Sequence, residues 1–366
     1  MKNASVAISN CFSYNTDEVF NAVSKACSMC SFPDVNGKKV LIKPNILSDS
    51  DPSACITTNP EVVRAVIRLV KQNGASGVYC GDSPGLHSPS FKGLKCGINQ
   101  VCSEEGATWC NFAEKPMSLK IENTNQTVAV ASILKEADIV ISVCKFKTHQ
   151  LMYSTGAVKN LFGLIVGLNK SQCHVKNPSR NKFAKFIVGL HQTVKPSFCI
   201  MDAVVGMEGP GPANGYPRPV NCILASDNCF ALDTAQAMIM GYNPADIPIL
   251  AEAKRCRLLP DSISYPLLKP QDLVIEDFKR IAVSEKTHFF KSLIVPFFTR
   301  GLAKKQQQKE TPPSFDHGKC IKCKRCVNIC PAKALSFEDK IEIDTSKCIR
   351  CYCCHEMCPA DAIKIK

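Results

Sequence analysis

Long apolar runs are missing from this sequence. The longest uninterrupted ones span only a few residues, far short of the ~20 that a membrane-crossing helix needs, so no segment is expected to span a bilayer. The opening MKNASVAISN lacks the basic region and apolar core of a secretory leader. Aromatic residues are sparse at 7%, with one tryptophan, Trp109, that carries no functional hint. Helix-turn-helix, zinc-finger and RNA-binding signatures are absent, which leaves nucleic acid out of the expected partners. Neither G-x-G-x-x-G nor G-x-x-x-x-G-K occurs in a strand-to-helix setting, so neither a dinucleotide fold nor a P-loop is indicated. Flavin, haem and nicotinamide motifs are not visible either.

What is present is a chain of 366 residues, 45% hydrophobic, enough to bury a core in two or three domains. Its 23 cysteines are unevenly placed: nine lie between Cys320 and Cys358, and fourteen are scattered earlier without paired spacing. That is no disulfide framework, and with no leader it points to a reducing cytoplasm. The formal charge is +13, but two oxidised 4Fe-4S clusters with their thiolates would lower it to about +9. The remaining excess suits small anionic molecules or an acidic protein.

The nine late cysteines carry the strongest signal. CIKCKRCVNICP (320–331) returns 28 positions later as CIRCYCCHEMCP (348–359). Each copy reads C-x-x-C-x-x-C-x-x-x-C-P, in which three thiolates share one loop and the fourth reaches the other cluster. This assigns Cys320, Cys323, Cys326 and Cys358 to one 4Fe-4S cluster, and Cys348, Cys351, Cys354 and Cys330 to a second. Zinc knuckles expect separate C-x-x-C pairs instead. Cys353 is surplus to the pattern and reads as a bystander.

The first 285 residues alternate short apolar strands with helical stretches, the pattern of a mostly parallel α/β sheet with helices on both faces. The strands are KKVLIK (38–43), GVYCGD (77–82), DIVISV (138–143), FCIMDA (198–203) and NCILAS (221–226). NPEVVRAVIRLVKQNG (59–74) is a helix with Asn59 as N-cap, Pro60 in its first turn and Gly74 at its end. DNCFALDTAQAMIMG (227–241) repeats that logic. We therefore divide the chain into an α/β domain (1–285), a basic segment (286–316) and a small α+β ferredoxin domain (317–366). Phe289, Phe290, Leu293, Phe297 and Phe298 give the middle segment an apolar centre; we favour packing on the main body over contact with a membrane surface through 286–310.

Parallel α/β sheets place their sites at strand ends. KFKTHQLMYSTGAVKNLFG (145–163) follows DIVISV and brings Lys145, Lys147, Thr148 and His149 to a strand end, then Lys159 and Asn160 into the opening of a helix. Such a set reads as an anion cradle. His149 suits proton transfer, and Lys159 suits carbonyl polarisation or imine formation. LIKPN adds Lys43 and Asn45, and DAVVGMEGPGPANG adds Asp202 and Glu208, the latter our candidate general acid/base. Gly81, Asp82, Ser83 and Asp227 are further rim candidates. CSMC (27–30) has redox spacing but ends a helix, so we read it as structural.

These motifs carry two resemblances. Residues 317–366, with AKAL and ADAI after the two prolines, resemble the two-cluster bacterial-type ferredoxins. LIKPN, KFKTH, STGAVKNLFG, the DAVVGMEGPGP loop and ASDNCFALDTAQAMIMGYNP, spread over roughly Ser5 to Leu259, resemble the family catalogued as domain of unknown function 362, often fused to such a module. His149, nine intervening residues and then Lys159 are also similar to the H-x9-K arrangement of the nickel-pincer lactate racemases, where such residues handle protons and attach the cofactor. Ala157 replaces the second glycine of their helix start, and no equivalent of their metal-ligating histidine is found.

The reading that best joins the parts is an iron-sulfur oxidoreductase. Catalytic roles fall to His149, Lys159 and Glu208, and binding of a small anionic substrate falls to Lys43, Asn45, Lys145, Lys147, Asn160 and Asp202. A redox partner protein supplies or takes electrons, and a further unidentified cofactor or the cluster itself faces the substrate. Two alternatives are an electron-transfer or docking protein without its own catalysis, and a racemase or transferase whose clusters are structural or regulatory.

Overall fold

The computed structural model describes residues 3–84, 91–167, 169–283 and 311–365; the segment 286–310 lies outside the described residues. β-branched runs set the strands. In chain order they are β1 (Asn3–Asn10), β2 (Lys39–Pro44), β3 (Gly77–Cys80), β4 (Thr108–Trp109), β5 (Met117–Lys120), β6 (Thr127–Val130), β7 (Ile139–His149), β8 (Tyr153–Thr155), β9 (Phe198–Glu208), β10 (Tyr216–Ser226) and β11 (Ser262–Ser264). The main sheet has the order β11-β1-β10-β9-β7-β2-β3-β4, with β8 folded back on β7; β5 and β6 form a separate hairpin.

The centre of the sheet is parallel, as the alternating pattern implies: β2 pairs with β3 and β7, and β7 pairs with β9. The pairs β9–β10 and β10–β1 are antiparallel. Loop 209–215 is too short for the crossover of a dozen or more residues that parallel strands need, so β10 must return as a hairpin. β7 and β9 also run six and five residues past the sequence expectation, to His149 and Glu208.

Helices cover both faces. α1 (Thr16–Ser28), α2 (Pro60–Gln72) and α3 (Ile98–Glu104) close one apolar layer against Ile139, Ile141 and Val143 of β7. α4 (Ala157–Asn160), α5 (Asn169–Lys176), α6 (Arg180–Val194), α7 (Cys229–Ile239) and α8 (Pro248–Arg255) close the other against Val140, Cys144 and Phe146. The period-2 alternation of one strand thus feeds two cores. The Asn59 side chain accepts from Glu61 N at the start of α2, and Gly74 beyond its end has φ +83°, a conformation glycine adopts without Cβ strain.

The C-terminal module repeats itself in backbone as well as sequence. β12 (Ser314–Phe315) pairs with β15 (Ile363–Lys364), β13 (Leu335–Phe337) pairs with β14 (Ile341–Ile343), and α9 (Arg325–Ile329) is matched by α10 (Cys353–Glu356). Left-handed non-glycine residues recur 28 apart, as Lys322 and Arg350, Lys324 and Tyr352, and Lys333 and Asp361. Successive turns of this kind gather backbone N–H groups into concavities suited to an anionic cluster. Tyr352 anchors the module, being buried within the core of the large domain, with its hydroxyl donating to Thr311 O at 3.0 Å. Asn214 Nδ2 donates across the junction to His355 O at 3.1 Å.

Candidate active site between the two domains

The face of β7 that buries Ile139, Ile141 and Val143 continues past the core as Lys145, Lys147 and His149. A register irregularity against β9 falls between Lys145 and Lys147, and the two lysines part company there. Lys145 Nζ is closed off by Asp202 Oδ2 at 2.7 Å and Tyr14 Oη at 2.9 Å. Among the described residues Lys147 Nζ meets no carboxylate; it donates to Ile56 O at 2.7 Å and lines a cavity of about 790 Å3, mouth included.

The cavity floor is a polar network at the ends of β2 and β3. Lys43 Nζ, fully buried, pairs with Asp82 Oδ2 at 2.9 Å and donates to Asn160 Oδ1 at 3.2 Å. Asn160 Nδ2 donates to Lys43 O and Ser142 Oγ, and Asn45 Nδ2 donates to Asn160 Oδ1. Burial pulls the Lys43 amine below its ordinary value, with the Asp82 charge opposing. Gly163 is required here: a Cβ would collide with both Asp82 and Lys43. Two buried polar atoms on the large domain's side of the wall, Asn45 Oδ1 and Thr155 Oγ1, have no hydrogen-bond partner among the described residues. Buried polar atoms are normally satisfied, so such a pair suits a bound ligand or water.

Three amines and two imidazoles line the same space: Lys147, Lys159, Lys170, His149 and His174. Burial, and then the Lys159 charge, lowers Lys147 to about 7. Burial likewise lowers Lys170 to about 7, with Asp82 opposing and Lys43 and Lys159 adding to the drop. Lys159 is lowered by burial, with Glu356 opposing; its Nζ lies 5.9 Å from the Phe162 ring centroid. Burial holds His149 and His174 at about 4. His149 Nδ1 accepts from Leu151 N and Met152 N, which leaves the proton of the neutral ring on Nε2. That Nε2 stands 3.2 Å from Glu356 Oε1 of the C-terminal module, within ion-pair range. Ile329, Cys353 and Met357 of that module complete the wall.

Seven of the residues singled out in sequence therefore meet in the cavity: Asn45, Asp82, Ser83, Lys147, His149, Lys159 and Asn160. Lys43 supports them from behind. Lys145 and Asp202 do not join, because each neutralises the other within the core. Glu208 does not join either; it ends β9 beside Lys279 and Arg218, with Oε2 accepting from Lys279 N at 3.1 Å. Asp227 is exposed. The helix opening expected to cradle an anion is already filled: Asp233 accepts from Ala157 N and Val158 N, and a Cβ at Gly156 would strike its carboxylate. Cys353, read as a bystander, is a wall residue. Lys170 and His174 were missed, although their spacing of four on α5 puts them on one helix face. Nothing local marks Glu356.

The late cysteines fall into two rings. Cys320, Cys323, Cys326 and Cys358 ring one cavity of about 390 Å3; Cys330, Cys348, Cys351 and Cys354 ring another of about 350 Å3. Among the described residues no three His, Cys, Asp or Glu side chains are grouped to hold a single metal ion. Ala334 N donates to Cys330 Sγ and Ala362 N to Cys358 Sγ, the kind of bond that tunes a ligating thiolate.

Comparison with known proteins matches two regions of the chain. Residues 40–238 match the domain of unknown function 362 family, and residues 319–362 match the 4Fe-4S dicluster domain. A thylakoid-associated protein of Synechocystis sp. is 32% identical over 246 residues, 66% of this chain and 76% of its own. Among solved structures, the lactate racemase apoprotein of Thermoanaerobacterium thermosaccharolyticum is 14% identical with a TM-score of 0.40, covering 58% of this chain and 53% of that one. A structural-genomics protein from Thermotoga maritima is 14% identical with a TM-score of 0.36, covering 56% and 53%. This chain thus matches about half the length of either solved structure. It is an iron-sulfur protein with a 4Fe-4S ferredoxin domain, and it belongs to the domain of unknown function 362 family.

Proposed function

We propose that the protein is an oxidoreductase that binds a small anionic substrate in the cavity between its domains and exchanges electrons with it through two C-terminal 4Fe-4S clusters. The observation that carries this reading is a shared helix: α10 holds the ligand Cys354 and also lends Cys353 and Glu356 to a wall whose other side is Lys147, His149, Lys159 and Lys170. When bound, the clusters supply single electrons and no bond chemistry. The chain's own residues do the rest. Lys159 and Lys170 neutralise the substrate's anionic group, Asn45 Oδ1 and Thr155 Oγ1 orient a neighbouring hydroxyl or amide, and the neutral His149 donates from Nε2. Lys147 and Lys170, poised at about 7, can deliver the proton that accompanies reduction near neutral pH.

The test is anion binding to the cluster-loaded protein, using malonate and inorganic phosphate as probes and the reduced-cluster EPR signal as a second readout. Wild-type affinity is expected to fall as pH rises above about 7, because the amines lose the charge that the anion needs. Lys159→Met with Lys170→Met should weaken malonate at least about tenfold, roughly 1.4 kcal/mol, without changing cluster content. The reading fails if the double variant binds both probes as wild type does, or if saturating anion leaves the EPR signal unaltered.

A further inference from the structure

The two cysteine repeats have the same backbone and opposite surroundings. In the first, Ile321, Lys322, Cys323, Lys324 and Arg325 are all exposed, Ile321 by 64%. In the second, the corresponding Ile349, Arg350 and Cys351 are half-buried, while Tyr352 and Cys353 are buried. The sequence differs where the surroundings do. Lys324 and Arg325 become Tyr352, which anchors in the core of the large domain, and Cys353, which lines the cavity. One ring of cysteines is therefore turned toward the site, and the other toward the outside.

The outward ring is set in positive charge. Lys319, Lys322, Lys324 and Arg325 are exposed, and no acidic residue occurs between Asp316 and Glu338. Lys324 Nζ lies 4.7 Å from the Phe337 ring centroid, and the exposed Glu338 and Asp339 in the turn after Phe337 bound the patch on that side. At its centre stand one exposed aliphatic residue, Ile321, and the exposed thiol of Cys323, a residue of the first ring. A basic rim around a small apolar centre is the complement of an acidic protein surface, and such complementarity steers encounter and fixes orientation.

We propose that this face, Lys319 to Arg325, docks an acidic one-electron carrier protein, so that electrons pass between carrier and first ring while the second ring serves the cavity. The proposal rests on the electron-exchange reading above. A protein fits better than an anionic membrane because the loop offers no aromatic residue and only one exposed aliphatic to insert into lipid.

The experiment uses the full, cluster-loaded chain with an acidic flavodoxin as probe, and measures Kd anaerobically at about 20 and about 200 mM salt. Wild type should bind at low salt and weaken at least about tenfold at high salt; Lys322→Glu with Lys324→Glu should lose at least about tenfold at low salt. Lys254→Glu, exposed on α8, is the charge-matched control and should change Kd less than about twofold. If the double variant loads no clusters, carbodiimide crosslinking of the unmodified proteins decides, and should join flavodoxin carboxylates to Lys319, Lys322 or Lys324. The proposal is overturned if flavodoxin does not bind, if Lys254→Glu is as damaging as the double change, or if crosslinks concentrate on the large domain. It is also overturned if the patch binds phosphatidylglycerol vesicles that flavodoxin does not displace. Lys159→Met with Lys170→Met should leave flavodoxin affinity intact, which separates failure of docking from failure of the cavity reading.

Discussion

Lys145 and Lys147 stand two residues apart on one face of one strand, and their fates differ. Lys145 is locked between Asp202 and Tyr14, whereas Lys147 has backbone carbonyls for company and an open cavity in front of it. The first amine has its counter-charge built in; the second must find one in a ligand or give up its proton. A buried lysine signals function only when the protein has not already neutralised it. The same contrast separates two aspartates: Asp202 faces an ammonium, while Asp233 accepts from the amides of Ala157 and Val158 and pairs with no cation among the described residues.

The sharpest way to break the comparison is to remove one member of the closed pair. Asp202→Ala leaves the Lys145 ammonium buried without its carboxylate, and also strips an acceptor from Asn59 N, the first residue of the α2 cap. A loss of about 3–5 kcal/mol in unfolding free energy is expected, read by denaturant melts of the cluster-loaded protein. Lys147→Met should cost less than about 1 kcal/mol, since it removes a buried cation with no ionic partner and keeps the volume. Equal losses for the two variants would mean that the open and closed lysines are energetically alike, and the distinction drawn here would collapse.

That distinction was only half legible in the sequence. Strand starts could be read from β-branched runs such as VLI in β2 and IVIS in β7. Strand ends could not, because Lys145, Lys147 and His149 look like a polar exit from the sheet, although the ladder continues through them with buried partners. Those partners come from far away: Tyr14 lies 131 residues from Lys145, and Glu356 reaches His149 from the other domain. The 28-residue cysteine repeat was legible, since three of the four cysteines in each ring lie on one loop. Which copy faced the large domain was written only in the exchange of Lys324 and Arg325 for Tyr352 and Cys353, and had no meaning without the other surface. The filled helix opening was hidden for the same reason, its cap lying 76 residues downstream at Asp233.

Asp233 sharpens the contrast through pH. Burial, and then the Cys229 charge, raises its carboxyl from 3.8 to about 8, against the pull of the two amides. Between these values the folded chain holds a proton that the unfolded chain has released, so stability is fully present below about 4 and declines as pH rises toward 8. The slope is about 1.4 kcal/mol per pH unit. Asp233→Asn keeps an acceptor for one amide and carries no proton to lose. Unfolding measured from pH 5 to pH 7 should therefore flatten by about that slope. A pH profile identical to wild type would show that the Asp233 carboxyl is charged in the fold like Asp202, with solvent or a cation supplying what the amides do not.

The smallest effect is expected at Glu208, the residue whose setting in a glycine-proline loop made it look catalytic. Its carboxylate is buried, yet its cations stand off, with Lys279 Nζ at 3.8 Å and Arg218 Nη1 at 3.9 Å, and it accepts a hydrogen bond from Lys279 N. Glu208→Gln preserves that acceptor, so the cost is set by two long ion pairs to partly exposed partners, under about 1 kcal/mol. Malonate affinity should not move, because no part of Glu208 lines the cavity that Lys159 and Lys170 share. A tenfold loss of malonate affinity in this variant would put the β9–β10 hairpin back into the binding machinery, and the cavity would then be larger in function than its walls are in structure.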